Sequence, residues 1–230
     1  PALSNFQIAD LAGGALSAAM AILAGVVGAL RTGGGRYLDV SITDCAFANH
    51  VIPLATMNLV GKAQPRVQDM LTGARPGYGL YQTADDQFMA VAALEEKFWL
   101  QLCDALQHPE WASRYRDSGT QAEQLREDMS VVFASQPQAY WRELFSALDC
   151  CVTPVLTPQA AFEHPQLLAR EMIQVLNVPG HSALKCPAPA VRMDDRKQLI
   201  MRPGPDQGEH SRQILQQLNF SETDINDWIA

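Results

Sequence analysis

Asp10 is the first charged residue of the chain, and twenty uncharged residues, 11–30, separate it from Arg31. A lone carboxylate at the start of a long apolar helix stands beside free backbone N–H groups and the positive end of the helix macrodipole. There, negative charge developing on a bound carbonyl oxygen would be stabilised next to an acid or base. The same placement has a structural use, because Asp is a preferred N-cap and Ile8-Ala-Asp-Leu-Ala-Gly-Gly14 has the pattern of a capped helix start. The residue pattern alone leaves both roles open. Other chemistry-bearing residues are scattered. The five histidines (50, 108, 164, 181, 210) show no His-x-x-x-His pair and no cysteine at metal spacing, so no metal site is expected. The five cysteines (45, 103, 150, 151, 186) are odd in number, with two adjacent, which does not suit a disulfide framework and points to a reducing cytoplasm. Thr32-Gly33-Gly34-Gly35 is rich in glycine but follows a helix instead of joining a strand to one, so it is not expected to cradle a phosphate.

These residues must be positioned by the elements around them. Residues 11–30 are long enough to span a bilayer. However, eleven of the twenty are Ala or Gly, which gain little from lipid, and the arginines at 31 and 36 lead into strand-like sequence instead of a basic loop. No membrane span is expected; a helix lined with small residues is expected to be buried by close packing inside a domain. Pro1 opens the chain without an initiator Met or a basic leader, which suggests a trimmed chain. After the glycines, Arg36-Tyr-Leu-Asp-Val-Ser-Ile42 alternates as a strand should, and Thr43 or Asp44 could cap a second helix to about Val60, kinked at Pro53. Residues 61–78 are expected to form a linker. A hairpin is predicted over 79–94, a helix from Glu95, helices over 120–134 and 138–148, and a strand over 151–156. Together these make a small α+β domain over 79–156. A second linker covers 157–184, and 185–230 returns, through two short helices, to the larger domain that 1–60 begins. With 230 residues, 47% of them hydrophobic, there is material for a core, and a net charge of −8 makes nucleic acid an unsuitable partner.

Four passages in order give the chain a resemblance: Asp10-Leu-Ala-Gly-Gly14 with its Ala-rich helix; Thr32-Gly-Gly-Gly-Arg-Tyr-Leu-Asp-Val-Ser41 with Asp44; Pro76-Gly-Tyr-Gly-Leu-Tyr-Gln-Thr-Ala-Asp-Asp86; and Ala90-Val-Ala-Ala-Leu-Glu-Glu-Lys-Phe-Trp99. Cys151-Val-Thr-Pro-Val-Leu156 and Gly208-Glu-His210 extend it over nearly the whole chain. In these the sequence resembles the family III CoA-transferases (CaiB/BaiF-like), and within them the α-methylacyl-CoA racemases, which the string around Glu95 favours. The resemblance implies an α/β fold: part of a large Rossmann-like α/β domain plus a smaller α+β domain, in a family of interlocked homodimers. Asp10 falls on the family's catalytic aspartate, a nucleophile in the transferases and one of an acid/base pair in the racemases. Glu95 falls on a glutamate that supports the racemase's partner histidine, although an acidic residue also suits a helix's first turn for electrostatic reasons alone. The family's N-terminal segment, which carries much of the CoA site and that histidine, is expected to lie before Pro1, so the CoA-contacting residues are not assigned. None of the five histidines takes its place; His50 is expected to be a packed or interface residue.

The implied reaction is racemisation or epimerisation at the α-carbon of a 2-methylacyl-CoA. Coenzyme A enters as part of the thioester substrate, with no tightly bound cofactor. Two alternatives stand beside it: CoA transfer between carboxylic acids through an acyl intermediate on Asp10, and a truncated, non-catalytic assembly module.

Overall fold

The computed structural model describes residues 5–65, 68–178, 180, 182–194 and 203–229; His181 lies outside them. The chain divides into two compact units, Pro1–Val155 and Leu156–Ala230.

The first unit opens with a π-helical turn, Ile8–Ala15, that runs directly into helix α1, Leu16–Thr32. The wide turn is closed by the Leu16 N–H on the Leu11 carbonyl. Gly13 and Gly14 are its buried residues, and a Cβ on Gly14 would sit 2.8 Å from Ile42 Cγ1, so the missing side chain lets the turn press onto helix α2, Ile42–Ala48. Helix α1 ends where Gly33 takes the left-handed conformation (φ 74°) and donates its N–H to the Ala29 carbonyl at 2.8 Å.

Three sequence expectations change here. First, residues 34–41 are not a strand: a strand exists by exchanging hydrogen bonds with a neighbour, and no described residue lies alongside to do so. The segment instead lies against α1, with Leu38 Cδ1 3.2 Å and Arg36 Nε 3.9 Å from where a Cβ would stand on Gly25 and Gly28. Second, the cap of α2 is Ser41, whose hydroxyl accepts the Asp44 N–H at 3.2 Å, and not Thr43 or Asp44. The helix breaks at Asn49 and His50 before resuming as α3, Val51–Val60, because Pro53 has no N–H to offer the Asn49 carbonyl. Third, α1 is not buried. Leu16, Met20, Leu23, Val27 and Leu30 are exposed, since the described residues supply cover only along the glycine face and the π-helical turn. The stretch Ile8–Thr32, 25 residues with an 18-residue window of mean hydropathy 1.9, is long and apolar enough to cross a membrane, but it is also a helix whose glycines already receive protein side chains.

The core of this unit comes from later residues. A short 3₁₀ turn, Met70–Thr72, capped by Asp69, occupies the stretch expected to be a linker. An antiparallel sheet follows in the order β1-β2-β3: Tyr78–Gln82, Phe88–Ala92 and Val152–Pro154. Tyr78 pairs with Ala92, Gly79 with Val91 and Val91 with Val152. Alternation turns Tyr81, Met89 and Val91 inward. Against them pack α4, Glu96–Ala105; α5, Thr120–Phe133; and α6, Gln138–Phe145, contributing Trp99, Leu102, Leu125, Met129, Phe133, Trp141 and Phe145. Phe133 is the hub, with ring centroids 5.0 Å from Tyr81 and 5.1 Å from Trp141. Three buried aromatics with a polar tip find acceptors: Tyr81 Oη donates to the Pro76 carbonyl at 2.5 Å, Trp99 to Trp111 at 3.0 Å and Trp141 to Phe133 at 2.8 Å. Asp85, in the β1–β2 turn, accepts from the Thr83 hydroxyl at 2.6 Å and from the Gln138 N–H at 3.0 Å, capping α6 from outside its own sequence.

In the second unit, the described residues of 157–184 hold more helix and strand than their prolines suggest. Thr157 and His164 cap two short helices, α7 (Pro158–Phe162) and α8 (Pro165–Ala169), each with Pro in its first turn where a missing N–H costs nothing. Strands β4, Ile173–Leu176, and β5, Leu184–Pro187, form an antiparallel pair. The expected terminal helices are α9, Ser211–Gln217, and α10, Glu222–Trp228, tied by Arg212 to Glu222 at 2.8 Å.

Candidate functional site

Asp10 lies in the first turn of the π-helical segment, not at its cap. Gln7 holds the cap position, and no side chain caps it. The reason is the wide turn itself, which starts three residues earlier than an α-helix capped by Asp10 would. This removes the structural use expected for the carboxylate and keeps the electrostatic one. Asp10 is exposed, next to the positive end of a helix that continues to Thr32, on a π-helical turn, a local geometry often found where function needs it. Beneath it, the buried Gly13 and Gly14 fix the turn on α2.

Glu95 occupies the cap position of α4 with extended backbone (φ −85°, ψ 142°), and its side chain caps nothing. It is exposed three residues beyond Ala92, the last residue of β2. Its carboxylate bears on Cys151: burial raises that thiol's pKa most, the negative charges of Asp149 and Glu95 add to the rise, and Lys97 opposes it. Among the described residues no hydrogen bond or ion pair joins Asp10 to Glu95. They belong to different layers, one on the α1–α2 edge and one at the mouth of the aromatic core. His50 is neither packed nor inside a helix; it is exposed at the α2–α3 junction with Nδ1 2.7 Å from the Ala46 carbonyl oxygen. No group of three or more His, Cys, Asp or Glu among the described residues is arranged to hold a metal ion.

Sequence reasoning missed a run of clefts around residues 70–79. One of about 440 Å³ lies along β1 and β2, with Leu71, Tyr78, Leu80, Ala92 and Arg126 in its wall. A second, of about 810 Å³, shares Arg126 with it and adds Asp69, Arg75 and Glu123. A third, of about 350 Å³, reaches from Arg75 to Leu94, beside Glu95, and to Arg116. Arg126 falls on an amphipathic helix where an arginine is unremarkable. The one available signal was Gly79 inside a strand, which marks a close approach by another group; a Cβ there would lie 3.0 Å from Arg126 Nη1.

Comparison with known proteins gives a consistent picture. The family model of CoA-transferase family III matches residues 1–211. Alpha-methylacyl-CoA racemase of Homo sapiens is 31% identical over 225 residues, covering 95% of this chain and 56% of the relative. Succinyl-CoA:glutarate CoA-transferase of Mus musculus is 26% identical over 223 residues, covering 95% of this chain and 50% of the relative. A CAIB/BAIF family protein from Brucella suis is similar in structure, with a TM-score of 0.72 at 19% identity over 95% of this chain and 57% of that one, which speaks to the fold. The chain thus spans about half the length of the curated relatives it matches.

Proposed function

The chain belongs to CoA-transferase family III, and from that membership we propose that it serves an acyl-CoA enzyme that racemises or epimerises the α-carbon of a 2-methylacyl-CoA. The observation that carries this reading is the 31% identity to a racemase along 95% of the chain, with Asp10 as an exposed carboxylate at the start of the longest helix. A general base removes the α-proton, the thioester oxygen takes up enolate charge, and a second group returns a proton to the opposite face. Asp10 is one of the two proton-transferring groups. The positive end of the Ile8–Thr32 helix favours the enolate over the neutral thioester. Glu95 is a positioning residue for the histidine that the family resemblance assigns as the second group. The thioester already acidifies the α-carbon, so the chemistry asks for neither a metal nor a redox cofactor.

Asp10 and Glu95 are exposed in different layers, and a homodimer that sets the Asp10 region of one subunit against the Glu95 region of its partner would unite them. In this reading residues 1–60 belong to a large Rossmann-like domain, residues 79–156 form the small domain, and 185–230 return to the large one. The five free thiols suit a cytoplasmic enzyme.

The test is deuterium incorporation at the α-carbon of a 2-methylacyl-CoA in heavy water by the full-length protein. Asp10→Asn should reduce exchange by at least about a hundredfold, in the range of a lost general base, and Glu95→Gln should reduce it less. Exchange undiminished in the Asp10 variant would refute the mechanism. A second reading, CoA transfer through an acyl–Asp10 anhydride, draws on the likeness to succinyl-CoA:glutarate CoA-transferase. It predicts thioester exchange only when a second carboxylic acid is supplied, and no deuterium incorporation.

A further inference from the structure

We propose that the 440 Å³ cleft along β1 and β2 takes the far end of the acyl chain, and that Arg126 there binds a terminal carboxylate, so that the preferred thioesters are those of dicarboxylic acids. This inference rests on the acyl-CoA reading above and names the substrate class within it.

Of the arginines of this unit, only Arg114 has carboxylate partners among the described residues. Arg114 is neutralised by Asp117 at 2.9 Å and lies 3.9 Å from Asp128. Arg126, half-buried, has no carboxylate within ion-pair distance among the described residues; its Nη2 reaches only the Arg75 carbonyl, at 3.4 Å. The acids nearest along the neighbouring cleft are Glu123 and Asp69, and the Asp69 carboxylate is engaged by the Met70 N–H at 2.8 Å. Among the described residues the 440 Å³ cleft is lined by no acid: Leu71, Tyr78, Leu80, Ala90 and Ala92 give it an apolar wall, and Arg126 is the one charged group described there.

Gly79 makes this placement possible. With no side chain on the strand, the guanidinium lies against β1, where a Cβ would stand 3.0 Å from Nη1. The cleft is also within reach of the chemistry. Gly79 pairs with Val91, and Glu95 follows Val91 by four residues, so the backbone between them spans at most about 14 Å. A thioester held near Glu95 can therefore lay a short or medium acyl chain along the sheet toward Arg126. An apolar cleft whose guanidinium has no carboxylate partner among the described residues selects an apolar chain ending in one carboxylate. A guanidinium accepts a carboxylate through two parallel hydrogen bonds, whereas a plain alkyl end would leave it desolvated and unpaired.

The test uses the full-length protein and two CoA thioesters of one 2-methyl-branched six-carbon dicarboxylic acid, with the far carboxyl free or methyl-esterified. Binding is measured by calorimetry, and α-proton exchange is followed in parallel. The free acid should bind about tenfold or more tightly than the ester, the range of a hydrogen-bonded charge pair. Arg126→Met should bring the two affinities within about twofold of each other, and Gly79→Ala, which displaces the guanidinium, should shrink the gap as well. Equal affinity for acid and ester in the unaltered protein, or a preference that survives Arg126→Met, would overturn the proposal. Should Arg126→Met fail to fold, the acid–ester comparison and Gly79→Ala still decide. Binding without an acid preference defeats this inference alone. If neither thioester binds, both the inference and the acyl-CoA reading fall.

Discussion

Gly77 shows how tightly single positions constrain this chain. A Cβ there would stand 2.7 Å from the Ala93 carbonyl oxygen and 3.2 Å from Trp99 Cε3, and neither a strand-end backbone atom nor a buried ring can step aside cheaply. Gly77→Ala should cost about 1–3 kcal/mol, the range of overpacking, seen as a lower urea midpoint with an unchanged slope. Asp85 gives a pH-dependent counterpart. The Thr83 hydroxyl and then the Gln138 N–H stabilise its carboxylate and hold its pKa below the ordinary 3.8. A depressed carboxylate contributes stability that is fully present above its unfolded value and is lost as pH falls through the lower folded value. The stability gap between the unaltered protein and Asp85→Asn should therefore narrow when unfolding is followed from neutral pH to below 3.8. Cysteine chemistry should divide in the same residue-specific way. Burial pushes the Cys103 thiol up to about 12 and raises Cys150, so in the folded protein both should resist iodoacetamide while the less buried Cys45 and Cys186 react first. At this scale Asp10 could be found in the sequence because it stands alone before a long uncharged run. Arg126 could not, because what distinguishes it is an apolar cleft wall and a glycine on another element.

Elements with their own periodicity and turn chemistry were legible: the β1–β2 hairpin, α5, α6 and the short β3 all lie where alternation and helical spacing put them. Elements that depend on a neighbour were not. Residues 34–41 alternate as a strand but have no strand to pair with, and α1 has the composition of a packed helix without the packing. The prolines and histidines of 157–170 have the composition of a linker, although Thr157-Pro158 and His164-Pro165 are cap-and-first-residue pairs that start helices. The π-helical turn had no sequence signal beyond Gly13-Gly14, and it depends on α2. Because a Cβ on Gly14 would come within 2.8 Å of Ile42 Cγ1, Gly14→Ala should displace the turn that carries Asp10 and slow α-proton exchange. The double variant with Ile42→Ala, which vacates that space, should recover much of the rate. A pair whose losses simply add would argue against this coupling.

For the whole molecule, apolar surface is unevenly covered within the first unit. In Pro1–Val155 the hydrophobic core runs from Tyr81 to Val152, whereas the described residues before 61 bury only Gly13 and Gly14. Leu16, Met20, Leu23, Val27 and Leu30 leave an apolar face far beyond isolated exposed side chains. Self-association should cover it: light scattering across a dilution series should show a dimer or larger species, and a monomer at every concentration would contradict this. The contiguity of the core also sets an order of events during synthesis. The Ile8–Thr32 helix leaves the ribosome before any residue of the aromatic core, which can close as soon as Val152 has emerged, from contacts near in sequence and therefore quick to form. While the best-packed segment is being made, the described residues leave the most adhesive one exposed, and the yield in a cell should respond to holdase chaperones more than to anything that stabilises the core.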